Sequence, residues 1–366
     1  MSVNFYDYWI LKTNVSSNIK IKLMEDFKIS EEIYKELIER GNLNYLNLNE
    51  YDKFVKTYKE LKDDFDVNKY NALLEKNNIK FVKFGDDEYP DKFKNIDNKP
   101  FSIFYKGNIN LLNNYSISII GTRNATPYGE EVCKKISREL SLNNVGVVSG
   151  GARGIDILSH KICLENNGIP ICVLGSGLLN YYPKENFHYF NEIGQNGCIL
   201  SEYDVYTNPD KFNFPQRNRI ISAIGDGLIV IEAKEKSGTM ITVKYALDYG
   251  KDIAAVPGPI FWDKSMGCNK LIRDGASIIS EIKDLYDIFK LNRNTNNIVG
   301  RNYEELLSDP SKYKVFSLIK NRPSNVDEIA NETGINVVDI YKILFELESL
   351  NIIEASTGNF YQLKAI

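Results

Sequence analysis

Residues 116–156 constrain this chain more than any other stretch: SISIIGTRNATPYGEEVCKKISRELSLNNVGVVSGGARGID. A short apolar run, Ile117 to Ile120, ends in Gly121-Thr122-Arg123. An amphipathic segment follows, with Thr126 placed to cap a helix, Pro127 at its first position and Glu130 and Glu131 in its early turns. A second apolar run, Val145 to Val148, ends in Ser149-Gly150-Gly151-Ala152-Arg153-Gly154. Neither run alternates, so the unit reads as strand–helix–strand in a parallel sheet buried on both faces. Ligands of such sheets bind beyond the carboxyl ends of the strands. Glycines there let a ligand approach the backbone, and helix N-termini favour anions. The first expectation is therefore a phosphate-binding edge flanked by Arg123 and Arg153, with backbone N–H groups of the glycine loops as donors.

The alternation continues to about Phe289. Strands are expected at Ile169–Leu174, ending in Gly175-Ser176-Gly177, at Cys198–Leu200, ending in Ser201-Glu202, at Gly227–Ile231 and at Ile253–Val256. Helices are expected at 184–193, 216–224, 239–249 and 269–274. This succession predicts an α/β fold, a doubly wound Rossmann-like sheet over 79–289. Ile79–Phe84 and Phe101–Tyr105 read as strands leading into it. Residues 1–78 read as a small helical domain. Its turn Asn14–Asn18 lacks the glycine that a helix-hairpin-helix contact to DNA requires. Residues 290–302 form an asparagine-rich linker. Residues 303–366 read as three helices and a hairpin, a winged helix, with Ser324 capping the second helix and Gly334 ending it. The third helix, Asn336–Leu350, carries Asp339, Glu346 and Glu348 against Lys342 alone. A helix lying between phosphates should be basic, so this module is expected to serve a protein-contact or intramolecular role.

A net charge of −4 over 366 residues means that any nucleic-acid site must be a local patch. Cys133, Cys163, Cys172, Cys198 and Cys268 are far apart, lack a C-x-x-C pair and read as reduced core residues. No zinc pattern, signal peptide or membrane-spanning run is evident, and a cytoplasmic location is expected. The predicted sheet edge carries cations on separate loops: Arg123, Arg153, Lys184, Arg217 and Arg219. On one helix Arg217 and Arg219 point different ways, so one of them is expected to pair with Glu202 or Glu232. Asp156 is expected to support the glycine turn or to oppose Arg153. Tyr181, Tyr182, Phe187 and Phe214 lie near these cations in sequence, along with Asn186. Cations with stacking faces suit single-stranded nucleic acid.

The blocks GTRNATPYG, SGGARGID, LGSGLLNYYPKEN, ILSEY, FPQRNRIISAI, VIEAKEKSGTMITVKYALDYGKDIAAVPG and GCNKLIRDGA, in this order over Tyr89–Phe289, resemble the DprA/Smf family of DNA-processing proteins. The resemblance implies a SAM-like helical domain, an extended Rossmann-like domain and a winged helix. It implies a protein that protects incoming single-stranded DNA in natural transformation and loads a RecA-type recombinase onto it, without catalysis and without a cofactor. It also implies a homodimer formed through the Rossmann-like domain, for which the apolar stretch Ile253–Ile260 is the candidate surface. On matching positions it implicates Arg123, Lys184 and the loop Gly150–Gly154 in holding the strand.

The alternative is a nucleotide-processing hydrolase on a related sheet. Phosphoribohydrolases of that kind carry P-G-G-x-G-T-x-x-E. The nearest stretch here, Glu235 to Thr242, lacks the leading P-G-G and has Thr242 in place of the glutamate. No general base is evident there. His160 and His188 are too far apart to suggest a catalytic pair, and no G-x-G-x-x-G opens a helix at dinucleotide spacing.

Overall fold

A computed structural model describes residues 2–42, 44–94, 96–291, 309–349, 352–356 and 360–363. The chain forms two compact units, Met1–Arg293 and Asn294–Ile366. Apart from Lys290 and Leu291, the linker expected at 290–302 lies outside the described residues, as does the expected turn Thr357-Gly358-Asn359.

In the first unit the described strands are β1 (Lys80–Lys83), β2 (Ser102–Gly107), β3 (Ser116–Ile120), β4 (Gly146–Ser149), β5 (Ile169–Val173), β6 (Cys198–Ser201), β7 (Gly227–Val230), β8 (Asp252–Ala255) and β9 (Ser277–Ile278). They make one sheet in the order β1-β2-β6-β5-β4-β3-β7-β8-β9. The pairs from β6 through β9 are parallel, whereas β2 runs antiparallel to both β1 and β6. The doubly wound α/β fold is thus present. The segments expected only to lead into the domain extend its sheet by two strands. Every residue of β3, β4, β6 and β7 is buried, which is why these runs do not alternate.

Helices cover both faces. Pro127–Leu142, Ile155–Glu165 and Asp284–Phe289 pack Cys133, Ile136, Leu140, Cys163 and Leu285 against one face. Asn213–Ile224, Thr239–Asp248 and Asp263–Arg273 pack Ile220, Val243, Ala246 and Cys268 against the other. The last of these starts six residues before the expected Asn269, because the indole-bearing turn at Trp262 leads directly into it. The five cysteines are free and buried. The strand order places the crossover reversal between β3 and β7, since β4, β5 and β6 lie to one side of β3 and β7, β8 and β9 to the other.

The N-terminal helices Phe5–Lys12, Ser17–Phe27, Leu48–Leu61 and Val67–Lys76 share a core with the sheet edge. Val3, Tyr8, Tyr70 and Leu74 pack with Phe81, Phe104, Phe190 and Ile199. Trp9 anchors a second cluster and donates its indole N–H to the Phe54 carbonyl at 2.9 Å.

In the second unit, helices Pro310–Asn321, Val326–Thr333 and Val337–Ser349 enclose Val315, Ile319, Ile329, Ile340, Leu344 and Leu347. Strands β10 (Ser324–Asn325), β11 (Ile353–Ser356) and β12 (Phe360–Leu363) pair in the order β10-β12-β11. This is the expected winged helix with one correction. Asn325, not Ser324, caps the second helix, in a reciprocal capping box with Glu328. Ser324 is held in β10 opposite Tyr361. No helix among the described residues is long and apolar enough to cross a membrane.

Candidate nucleic-acid interface

The strand ends behave as two layers. The outer layer is charged. Arg123 follows β3, Arg153 follows β4 and Lys184 follows β5, and all three are exposed. Arg153 donates to Glu185, an exposed pair that holds the Glu185 carboxyl below its ordinary value. Arg123 and Lys184 have no ion pair among the described residues. Lys264 adds an ammonium to this edge by donating to the Asn124 carbonyl at 2.6 Å. Sequence reasoning missed it, because 140 residues separate the partners. Tyr182 and Phe187 are 44% and 55% exposed beside Lys184, and Tyr181 is buried behind them.

The inner layer is structural. Arg217 is 4% exposed and donates Nη1 to the carbonyls of Gly150, at 2.8 Å, and Val173. It therefore ties the ends of β4 and β5 together from below. Arg219, also buried, pairs with Glu202. Neither offers a free fork outward, a correction to their expected place among the phosphate contacts. Burial, foremost, raises the Asp156 carboxyl, while the Arg217 charge and the N–H groups of Ala152 and Gly150 act to lower it. Asp156 thus supports the glycine turn, and Glu185 rather than Asp156 opposes Arg153. Two loop N–H groups expected to face a ligand are already spent on this carboxylate. Glu232 does not hold an arginine. It accepts from Thr126 N at 2.9 Å and from the Thr126 hydroxyl at 2.5 Å, beside the helix cap at the β3–β7 reversal.

The remaining expected residues line up behind the cations. Ser149 donates its hydroxyl to the Ile119 carbonyl at 2.7 Å, and Asn186 donates Nδ2 to the Gly151 carbonyl at 3.0 Å. Gly175, Ser176 and Gly177 are buried. A Cβ on Gly150 would meet the Arg217 guanidinium at 2.6 Å, and one on Gly175 would meet the Phe214 ring at 2.7 Å. The close approach that requires these glycines is to protein, not to a ligand. Gly121 and Thr122 sit at the rim, where Ile155 N donates to the Thr122 carbonyl at 3.2 Å and fixes the Arg123 loop on the Gly154 turn.

His160 lies fully buried below the loop, and neither ring nitrogen has a hydrogen-bond partner among the described residues. Burial first, with the Arg217 charge adding to it, lowers its pKa to about 4, against a favourable contribution from the Ser149 backbone. The unfolded chain binds this proton near pH 6.5 and the folded chain only near 4. Stability therefore stays full above pH 6.5 and falls between there and pH 4, by about 3 kcal/mol in total. Thermal unfolding from pH 7.5 to 4.5 should show this slope, and His160→Leu should flatten it. An equal slope in both proteins would overturn the assignment.

The third helix of the winged unit buries Ile340, Ile343, Leu344 and Leu347 and exposes Val338, Tyr341 and Phe345. Its outward side thus carries apolar groups as well as acidic ones. Among the described residues no group of three or more His, Cys, Asp or Glu is placed to hold a metal ion.

A doubly wound sheet with exposed cations beyond three successive strand ends, joined in sequence to a winged helix, defines a Rossmann-like protein with a cationic edge. The chain belongs to the DprA/Smf family: the model of the DNA recombination-mediator protein A family matches residues 80–290. It is 34% identical to the DNA processing protein DprA of Streptococcus pneumoniae over 292 residues, 79% of this chain and all of that one. It is 37% identical to the Bacillus subtilis DNA processing protein DprA, over 59% of this chain and 73% of that one. The solved S. pneumoniae structure superposes with a TM-score of 0.67 at 33% identity, over 78% of this chain and 98% of that one. A Helicobacter pylori DNA processing protein A, reported for its unique single-stranded DNA binding mode, superposes with a TM-score of 0.53 at 32% identity, over 58% of this chain and 95% of that one.

Proposed function

We propose that this chain binds single-stranded DNA without regard to sequence, as a non-catalytic recombination mediator. It would shield strands taken up in transformation and pass them to a RecA-type recombinase. The observation that carries the reading is the outer layer: Arg123, Arg153 and Lys184 project from the ends of three neighbouring strands, with the Tyr182 and Phe187 rings exposed among them. The likeness to the H. pylori protein supports it. Phosphates would meet Arg123 and Lys184 directly and would compete with Glu185 for Arg153. Arg217 and Arg219 are left to hold the floor.

The test is fluorescence anisotropy with a labelled oligothymidylate at several salt concentrations, with duplex DNA and AMP as competitors. Tight binding that duplex and AMP displace poorly is the expected result. Arg123→Ala should weaken it and shallow the log–log salt dependence by ~0.7. An unchanged affinity and slope would remove Arg123 from the interface. Occupancy by AMP with no strand binding would favour the nucleotide-hydrolase alternative instead.

Two further parts of the proposal rest on surfaces. Self-association is assigned to the ridge after β8. Ile253 to Val256 are buried in the sheet, which corrects the first half of the expected stretch, whereas Ile260 and Phe261 are 73% and 92% exposed. Sedimentation as a monomer would remove this part. The apolar side of the winged helix is assigned to protein contact. Recombinase loading is read from the rate of filament assembly on protein-coated single strands, and no acceleration by this chain would count against it.

A further inference from the structure

We propose that the loop after β6 carries a second stacking subsite for single-stranded DNA, built on Tyr206 and Phe212, which lengthens the strand's footprint beyond the cationic edge. The inference rests on the strand-binding reading above and adds residues to it.

The loop joins β6 to the helix Asn213–Ile224. Tyr206 and Phe212 are 55% and 68% exposed, in a loop whose Val205 is fully buried. Large rings left in water forgo the stabilisation that burial would supply. Looseness does not account for their position, because the backbone is tied down on either side, at Asp204–Thr207 and at Asp210–Asn213. Tyr206 N and Thr207 N donate to the side chain and carbonyl of Asp204 at 2.9 and 2.8 Å. Gly177 N donates to the Thr207 carbonyl at 2.9 Å, Leu179 N to the Val205 carbonyl at 3.0 Å, and Asn180 Nδ2 to the Tyr206 carbonyl at 2.6 Å. Phe212 N donates to the Asp210 carboxylate at 2.8 Å. The Phe212 ring and the exposed side of Tyr206, whose ring lies 6.5 Å from that of Tyr70, are presented on a held frame, which reduces the ordering cost of binding.

Their surroundings match the chemistry of a nucleotide. Lys211 Nζ lies 5.0 Å from the centroid of Phe212, so a cation stands at a ring that stays mostly exposed. A base stacked on that ring would bring its phosphate within reach of the ammonium. The loop is also continuous with the cationic edge. β3, β4, β5 and β6 are successive neighbours in the sheet. Their ends carry in turn Arg123, Arg153, then Lys184 with Tyr182 and Phe187, and finally Tyr206 and Phe212. Tyr182 reaches across to the first turn of the helix that follows this last loop, its ring 5.6 Å from that of Phe214. Three strand spacings of ~4.8 Å span ~14 Å, about four nucleotides at the ~3.4 Å stacked rise. Every base has a π-face, so the added subsite keeps binding independent of sequence.

The experiment compares oligothymidylates of about 3 nucleotides, enough to span the cationic edge from β3 to β5 but short of the loop after β6, and of about 15, within the range of known single-strand site sizes. It uses the full chain with Phe212→Ala, Tyr206→Ala and Phe212→Tyr. Each alanine variant should lose at least ~5-fold in affinity for the long strand, the lower end of a lost base stack, with little change for the short one. The salt slope should stay as in the wild type, because no phosphate contact is removed. Phe212→Tyr should restore binding. Wild-type affinity of both alanine variants for the long strand, with Arg123→Ala impaired, would overturn the subsite and leave the cationic edge standing. Loss in Arg123→Ala and in the Phe212 variant at both lengths would place Phe212 in the primary site and overturn the extension. No strand binding by the wild type would overturn both. The Phe212 ring is mostly exposed, so an unchanged unfolding temperature should accompany Phe212→Ala, whereas Tyr206→Ala also gives up the ring contact with Tyr70.

Discussion

Arg217→Ala should lower the stability of the first unit by ~3–5 kcal/mol, the usual consequence of removing one partner from a buried, charge-compensated set. For a unit of this size that corresponds to a fall of roughly 10 °C in unfolding temperature. The guanidinium holds the carbonyl of Gly150 at the end of β4 and that of Val173 at the end of β5. It is also foremost among the charges that favour the ionised Asp156, which in turn accepts from Gly150 and Ala152. Removal leaves two carbonyls unpaired and a buried carboxylate uncompensated. The glycine loop would lose its support from both sides. Arg217→Lys keeps the charge but not the two-pronged reach, so it should fall between wild type and alanine. A phosphate-contacting arginine behaves differently: its alanine variant would keep its unfolding temperature and lose ~0.7 from the salt slope. Thermal unfolding and a salt titration on the same variant therefore decide between floor and contact.

That distinction marks where the sequence stops being legible. The parallel strands could be read because both of their faces are buried, so the apolar runs lack alternation. β3 and β4 emerge within a residue or two of their expected bounds for this reason. The two-residue β9 has too little length to leave a pattern, and the antiparallel seat of β2 beside β6 has no local signature. The three outward cations follow from the rule that ligands gather at carboxyl ends, and each sits one loop beyond its strand. The arginines of helix Asn213–Ile224 do not follow from any local rule. That helix is buried nearly all round from Arg217 to Ile224, so its periodicity cannot say which arginine meets solvent. The answer lies in partners 67 and 44 residues away for Arg217 and 17 away for Arg219. The glycines were legible as close-approach positions, but not what approaches. At Gly150 and Gly175 the neighbours are Arg217 and Phe214, brought there by the tertiary fold. Tyr206 and Phe212 stand out only once the fold is known, because exposed and buried rings look alike in sequence.

Gly154→Ala should cost ~4 kcal/mol and should weaken strand binding in whatever fraction remains folded. Gly154 has φ +75° and ψ −129°, a conformation that other residues adopt only under strain of about 1–3 kcal/mol. An added Cβ would sit 2.3 Å from the Thr122 carbonyl oxygen and 2.6 Å from the Arg123 carbonyl carbon. These are backbone atoms, so no rotamer change relieves the clash, and the displacement adds about 1–3 kcal/mol. What must move is the Arg123 loop itself, because Ile155 N holds the Thr122 carbonyl from the other side of the turn. Stability and binding are thus coupled at one point of contact between the β3 and β4 loops. Gly238 supplies the control: it lies in a neighbouring loop with nothing within 4 Å of a Cβ, and Gly238→Ala should shift stability by no more than ~0.5 kcal/mol. Equal unfolding temperatures for the two variants would mean that the loops yield freely. The position of Arg123 would then owe nothing to the turn at Gly154. A lowered unfolding temperature with unchanged affinity would separate the two loops' roles and leave Arg123 positioned by its own strand end alone.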